Sequence, residues 1–131
     1  MAGAEFLADS GQDRAALTEM VSALEVALNR FAKSPRADAL LSALLQERLG
    51  IASLRSLVDH LGLSSSVAFL LPLLLSEEVL PAGLLATCRD AIAERQNIIH
   101  QGQRQVSPQR LSQFLDAIRT LCEILLRWTA I

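Results

Sequence analysis

The chain of 131 residues contains no tyrosine, only one tryptophan and four phenylalanines, so it offers few aromatic surfaces on which nucleotide bases could stack. It has one lysine against eleven arginines, and its formal net charge is −2. A protein without a positive net charge has no global field that attracts nucleic acid. Any contact with RNA therefore has to come from a local patch.

Cysteine and histidine are also scarce. Cys88 and Cys122 fall on apolar helical stripes, which favours buried reduced thiols, with a disulfide between the last two helices as the alternative. His60 and His100 stand far from each other and from the cysteines, which is not the spacing of a zinc site. We therefore expect neither a metal nor another cofactor.

The sequence offers little that points to export or to a membrane. Residues 1–10 lack the basic start and the long apolar core of a signal peptide. Residues 67–75 carry no polar side chain, but nine residues are too few to cross a bilayer and predict a fully buried helix instead. We expect a cytoplasmic protein with no membrane association.

The residues that are abundant favour helix. Apolar side chains make up 51% of the chain, with leucine and alanine foremost, and these lose little rotamer freedom in a helix. Apolar positions at steps of three and four predict long helices over residues 13–33, 81–102 and 107–131. The short connections predict an all-α, up-and-down bundle of four to five helices, as one domain over residues 13–131 after a flexible segment, residues 1–12.

Shorter helices are predicted between the first and second long ones. One covers residues 36–49, with Leu40, Leu41, Leu44 and Leu45 directed inward. Another begins near residue 54, and Gly50 and Gly62 are expected to end these two helices. Pro72 leaves open whether residues 67–80 form one kinked helix or two short ones.

An arginine interrupts the apolar stripe of the helix predicted over residues 81–102. The stripe runs at steps of three and four through Leu85, Cys88, Ile92, Arg95 and Ile99. Burying a guanidinium without partners is costly, so Arg95 requires an anion, a hydrogen-bond network or a water-filled cleft. Between residues 89 and 110, four arginines outnumber two carboxylates, which is a small local surplus of positive charge.

His100 follows Arg95 after four residues and precedes Gly102, where the helix is expected to end. His60 has the same spacing from Arg55, but it lies within a short amphipathic helix and is interpreted as a surface histidine. On an ideal helix, positions five apart are rotated by about 140°. Arg95 and His100 can therefore meet only if the helix frays early, at Ile99, or if a second subunit supplies one of them.

The segment that follows Glu94 resembles the motif of the HEPN superfamily, whose helical bundles carry an arginine and a histidine a few residues apart, ahead of the last helix. Arg95, Asn97, His100 and Gly102 supply most of that motif, and Gln96 stands directly after the arginine. Gln96 and Asn97 are therefore both candidates for the assisting polar residue. By helix order, the resemblance extends more loosely over residues 37–128.

This resemblance implies a HEPN-like fold and a metal-independent endoribonuclease that acts as a homodimer, with the two motifs facing each other. His100 would move the proton of a ribose 2′-hydroxyl, and Arg95 would stabilise the transition state, giving a 2′,3′-cyclic phosphate. RNA would be the substrate, and an antitoxin or a regulatory protein a further partner, in a toxin, defence or RNA-processing system. The alternatives are a non-catalytic HEPN-like module that dimerises or binds a partner, and an unrelated helical adaptor.

Overall fold

The computed structural model describes residues 13–101 and 107–129, without the side chains of residues 99–101. The predicted flexible segment, residues 1–12, and Gly102 lie outside the described residues. The helices are α1 (Asp13–Lys33), α2 (Pro35–Asp38), α3 (Ala43–Leu49), α4 (Leu54–Ser65), α5 (Leu71–Leu74), α6 (Ala82–Gln101) and α7 (Pro108–Thr129), with a π-helical turn (Ser66–Leu70) between α4 and α5. The predicted all-α helical bundle is confirmed.

The core lies where the three long helices meet. Helix α1 packs along α7, α6 packs against both, and α4 with the π-helical turn covers α1 and α6. The apolar stripe that predicted α1 is buried, as expected from its helical period. Its buried members are Leu17, Met20, Val21, Leu24, Leu28 and Phe31.

Helices α6 and α7 run antiparallel, as two contacts between them show. Glu94, late in α6, lies against Arg110 in the first turn of α7. Cys88, earlier in α6, lies close enough to Cys122, later in α7, for the two thiols to interact electrostatically. The end of α6 thus contacts the start of α7, and an earlier part of α6 contacts a later part of α7. Ser107 begins α7 as predicted, because its hydroxyl accepts from the Arg110 amide at 3.5 Å.

The prediction of one helix over residues 36–49 is wrong. A turn at residues 39–42 separates α2 from α3, and Ser42 begins the second helix by accepting a 3.2 Å hydrogen bond from the Leu45 amide. A serine at this position is a signal for a helix start that the leucine spacing hides. The periodicity of the leucines is continuous across the turn, so it could not reveal the break.

The break changes which leucines face the core. Leu41 is buried and Leu40 is partly buried, as predicted, whereas Leu44 and Leu45 are 63% and 45% exposed. Helix α3 has no extensive contact with any other described element, which is why the inward orientation predicted for Leu44 and Leu45 is wrong.

The two glycines behave differently. Gly50 ends α3 in the left-handed conformation (φ 65°, ψ 29°), as predicted. Gly62 adopts the non-helical angles φ 77° and ψ 179°, so the first helical part of α4 ends there as predicted, and a second part follows across a kink. An L-residue rarely adopts that conformation, and this explains why the kink falls at a glycine.

The question left open by Pro72 is resolved by the π-helical turn. Proline has no N–H, and its ring crowds the carbonyl four residues earlier, which is that of Ala68 in this turn. The wider π-helical turn accommodates the ring without interrupting the helix. One helical segment thus reaches Leu74, and Leu75 is extended, so residues 75–81 form a connection anchored by the buried Leu75 and Leu80.

By length and composition alone, one helical stretch of the described residues, Leu54–Leu74, could cross a membrane. The sequence interpretation began at residue 67 and did not recognise that the helical, apolar stretch starts at Leu54. Only 28% of its apolar window is buried. The prediction of a fully buried helix over residues 67–75 is therefore wrong, because Phe69 and Leu73 are 67% and 83% exposed. Several other residues of the stretch do belong to the core cluster. These residues are Leu54, Val58, Val67, Leu70 and Leu71.

Candidate functional site

Arg95 lies on the core-facing stripe of α6, as its spacing predicts. The stripe residues before it are buried, with Leu85, Cys88 and Ile92 exposed by 7%, 0% and 2%. Arg95 itself is half-buried, and its Nε is buried without a hydrogen-bond partner among the described residues. A buried donor left unsatisfied costs about 1–3 kcal/mol. The Nε itself has almost no accessible surface, so an anion would have to meet the part of the Arg95 side chain that remains exposed.

The carboxylate next to Arg95 is engaged by another residue. Glu94 is only 6% exposed, and its Oε2 lies 3.5 Å from Nη1 of Arg110 on α7. The Arg110 guanidinium also lies over the Phe114 ring, 5.1 Å from its centroid, which restricts its movement. Glu94 takes part in a further interaction as well. The negative charge nearest to Arg95 in the chain is thus balanced from α7.

Helix α6 continues through Gln101, so the early helix end that would bring Arg95 and His100 together within one chain is not found. Along a regular helix, positions 95 and 100 are about 7.5 Å apart and rotated by about 140°. The side chain of His100 lies outside the described residues. Of the two routes considered from the sequence, the one that remains is a site shared by two subunits.

The two polar residues predicted to assist Arg95 differ in their exposure to solvent. Gln96 is exposed and Asn97 is partly buried. Residues one and two positions away on a helix do not face the first residue, so neither amide is placed on the Arg95 stripe. His60, with the same spacing from Arg55, is exposed, and its interpretation as a surface histidine is confirmed.

Cysteine chemistry does not contribute to this site. Cys88 and Cys122 are free and buried, as the interpretation of reduced thiols predicts. Burial, with the nearby Cys122 adding to it, raises the pKa of Cys88 to about 12. Burial, with a contribution from Glu123, raises the pKa of Cys122 to about 11. Both are therefore uncharged at neutral pH, and the thiolate is the form that attacks or binds metal.

No three histidine, cysteine, aspartate or glutamate side chains of the described ranges form a group that could hold a metal ion. The arrangement around Arg95 instead offers one guanidinium with a buried, unsatisfied donor, beside a carboxylate that is already paired. Such a guanidinium can bind a phosphate or another oxyanion through charge-assisted hydrogen bonds.

One feature of the site, the pair of Glu94 with Arg110, was not found from the sequence. Both residues were counted in the local charge balance, but their contact depends on how α6 and α7 lie against each other. A carboxylate and an arginine on either side of a short helix connection were the available signal.

Comparisons of the chain with protein-family models, curated proteins and solved structures give no match.

Proposed function

We propose that the chain is a metal-independent endoribonuclease of the HEPN type, with a site built from two copies of Arg95 and His100. The observation that carries the proposal is the buried Nε of Arg95, which lacks a hydrogen-bond partner among the described residues. The part of the Arg95 side chain that remains exposed is able to meet an oxyanion, and the phosphodiester of RNA is such a group. A toxin, defence or RNA-processing system is the setting in which such an enzyme would act.

The reaction requires only groups that this chain contains. The imidazole of His100 takes the proton of a ribose 2′-hydroxyl, and the 2′-oxygen attacks the adjacent phosphorus. The bond from phosphorus to the 5′-oxygen breaks, and that oxygen receives a proton from an imidazole. Arg95 stabilises the additional negative charge of the transition state. The products are a 2′,3′-cyclic phosphate and a 5′-hydroxyl, and Asn97 and Gln96 are the polar side chains available to orient the RNA.

Two copies are part of the proposal because of the helix geometry. Helix α6 is continuous from Ala82 to Gln101, so one chain does not bring positions 95 and 100 to the same side. Arg95 faces the core of its own bundle and is half-buried, so a second copy would have to supply His100 near the end of α6, where the exposed part of the Arg95 side chain can be reached. An isologous interface, in which each copy does this for the other, is the commonest form of a protein dimer.

The test is cleavage of end-labelled single-stranded RNA in the presence of EDTA. Wild-type protein should produce fragments that end in a 2′,3′-cyclic phosphate, and His100→Ala should lose at least about a hundredfold of the rate. His60→Ala is the matched control, since His60 also follows an arginine after four residues but is exposed; it should retain full activity. Equal losses in both variants, or no cleavage by the wild type, would refute the nuclease.

A second candidate is a non-catalytic module that dimerises. It is supported by Phe69 and Leu73, which are 67% and 83% exposed and lie one helical turn apart on the segment that ends at Leu74. Apolar side chains this large and this exposed on one helix are typical of an interface. Leu73→Asp should then convert a dimer to a monomer in analytical ultracentrifugation, while wild-type protein cleaves no RNA at any concentration.

A further inference from the structure

We infer that a positively charged patch around Trp128 binds the phosphate backbone of single-stranded RNA, at the end of α7 that lies away from Arg95. RNA as the ligand rests on the proposed function, whereas the patch itself is a feature of the structure. It is called the Trp128 patch below, and its members are Arg30, Lys33, Arg36, Arg127 and Trp128.

The Trp128 patch forms where the end of α1 meets the end of α7. The Ser34 hydroxyl, directly after α1, donates a 2.9 Å hydrogen bond to the Trp128 carbonyl. Each of the four cations lies within four residues of Ser34 or Trp128 in the chain, and all four side chains are exposed. Over residues 13–101 and 107–129, no ion pair involves any of the four. Their charges are therefore available to an anion from outside the protein.

The charge of this region is opposite in sign to that of the whole chain. Among the described residues within four positions of Ser34 or Trp128, four cations face a single carboxylate, that of Asp38, whereas the whole chain has a net charge of −2. The Asp38 Oδ1 accepts a 2.8 Å hydrogen bond from the Leu54 amide, the first of α4. The ends of α1 and α7 each contribute roughly half a negative charge from the helix dipole. A surplus of positive charge remains after both contributions.

Arg36 is the cation that the structure holds most firmly. Its Cζ lies 4.4 Å from the centroid of the Trp128 ring, and the Phe31 ring meets the same indole edge to face. An aromatic ring attracts a guanidinium without neutralising its charge, as a carboxylate would. Because Arg36 is held before a ligand arrives, less side-chain entropy is lost on binding. Its planar set of N–H donors matches the oxygens of a phosphate.

The Trp128 patch is separate from the proposed cleavage site. Glu94 contacts Arg110 in the first turn of α7, so Arg95 belongs to that end of the bundle. Trp128 lies in the last turn of α7, and positions 110 and 128 of a regular helix are about 27 Å apart. RNA held at the patch is thus anchored away from the bond that is cleaved. In cleavage assays, loss of the patch should therefore appear in KM.

RNA binding is measured with His100→Ala protein in EDTA, so that the RNA stays intact. The probe is a fluorescein-labelled oligouridylate of about twenty nucleotides, which is longer than the distance between the two sites even at about 3.4 Å per nucleotide. In fluorescence anisotropy, Arg36→Gln should raise the dissociation constant roughly tenfold, because a charge-assisted contact is lost. The slope of the logarithm of affinity against the logarithm of salt concentration should fall by about 0.7, the value for one phosphate contact.

Two further variants make this result specific. Arg89→Gln is the matched control, since Arg89 is exposed on α6 and the same charge is removed outside the patch. It should leave both the affinity and the salt slope unchanged. Arg36→Lys keeps a cation at the ring and should keep the wild-type slope. Far-UV circular dichroism verifies that all three variants are folded.

The place at which RNA binds can be measured directly, because Trp128 is the only tryptophan of the chain and there is no tyrosine. Unlabelled RNA should change the emission of Trp128, excited at the red edge of its absorption, with the same dissociation constant as anisotropy gives. Arg36→Gln should move this titration curve to higher RNA concentrations. RNA bound only near Arg95 would leave the emission unchanged.

The outcomes separate this inference from the proposed function. If wild-type protein does not cleave RNA but its RNA binding depends on Arg36, the ribonuclease is refuted and the patch is supported. Absence of RNA binding, or binding that leaves Trp128 emission unchanged, overturns the inference. So does an equal loss of affinity in Arg36→Gln and Arg89→Gln. A poly-glutamate peptide that displaces the RNA at equal charge also overturns it, because the patch would then bind acidic protein segments.

Discussion

Ser34 and Trp128 are joined across the bundle, since the Ser34 hydroxyl donates a 2.9 Å hydrogen bond to the backbone carbonyl of Trp128. Carbonyls in the last turn of a helix have no partner within it, so this bond satisfies one of the free acceptors of α7. The Phe31 ring meets the Trp128 indole edge to face at 6.4 Å, and Arg36 lies 4.4 Å from the indole centroid. The end of α7 is thus fixed to the junction of α1 and α2.

Ser34→Ala should lower the free energy of unfolding by about 1 kcal/mol, because the Trp128 carbonyl loses its donor. Urea unfolding followed by far-UV circular dichroism measures the change. Ser112→Ala is the control, since Ser112 is exposed within α7 and alanine favours helix at such a position. Equal stability of Ser34→Ala and wild type would show that water replaces the serine at no cost.

The kink at Gly62 predicts a difference between two glycine substitutions. Gly62→Ala should destabilise the protein by about 1–3 kcal/mol, because a backbone with φ 77° and ψ 179° is strained for any residue with a Cβ. Steric contact is not the cause, since a Cβ added there meets nothing within 4 Å. The midpoint of urea unfolding measures the loss.

Gly83→Ala is the matched comparison for the kink. Gly83 lies in the first turn of α6, where an added Cβ also meets nothing within 4 Å. Alanine should therefore stabilise the protein by about 0.5–1 kcal/mol there, since it reduces the freedom of the unfolded chain. Opposite signs at positions 62 and 83 would establish that conformation, and not space, determines the effect at Gly62.

The buried thiols predict an alkaline loss of stability. The ordinary pKa of a cysteine is 9.0, whereas burial raises the pKa of Cys88 to about 12 and that of Cys122 to about 11. Below pH 9 the thiols are protonated in both states and contribute no pH dependence. Between pH 9 and 11 the unfolded chain releases protons that the folded protein retains, so the free energy of unfolding falls by up to roughly 1.4 kcal/mol per pH unit for each thiol.

This chain is well suited to that measurement, because it has no tyrosine and one lysine. Few other side chains titrate between pH 9 and 11. Urea unfolding at several pH values should give a descending curve for wild type and a nearly flat one for Cys88→Ala/Cys122→Ala. The double variant is less stable at pH 7 because it loses buried volume. If both curves descend in parallel, the thiols are not the titrating groups.

The long helices could be predicted from the sequence, whereas the segment between α1 and α6 could be predicted only in part. In α1 and α7 the apolar stripe and the buried stripe coincide, since only one face can meet the core. Over residues 36–49 leucines are so frequent that their spacing resembles that of one continuous helix, although a turn interrupts it. Leu44 and Leu45 show the consequence, because a helix with little tertiary contact leaves its leucines exposed.

The candidate site was likewise only partly accessible. The apolar stripe of α6 predicted that Arg95 lies among buried residues. Because burying a guanidinium is costly, the sequence also indicated that Arg95 requires a partner. The engagement of Glu94 by Arg110 depends on the antiparallel arrangement of α6 and α7, which periodicity along one helix does not contain. The resemblance to the HEPN motif and its consequences stay predictions, since they concern RNA and a second copy of the chain.

Arg95 should illustrate a conflict between stability and activity. Arg95→Met keeps an unbranched side chain as far as the position of Nε but removes the unsatisfied donor, so it should raise the free energy of unfolding by about 1 kcal/mol in urea titrations. The same variant should lose RNA cleavage, because no cation then meets the phosphate. Arg89→Met is the control: Arg89 is exposed on α6, so this change should affect neither property. If Arg95→Met is less stable than the wild type, the guanidinium stabilises the bundle. Its burial would then serve folding and not the binding of an anion.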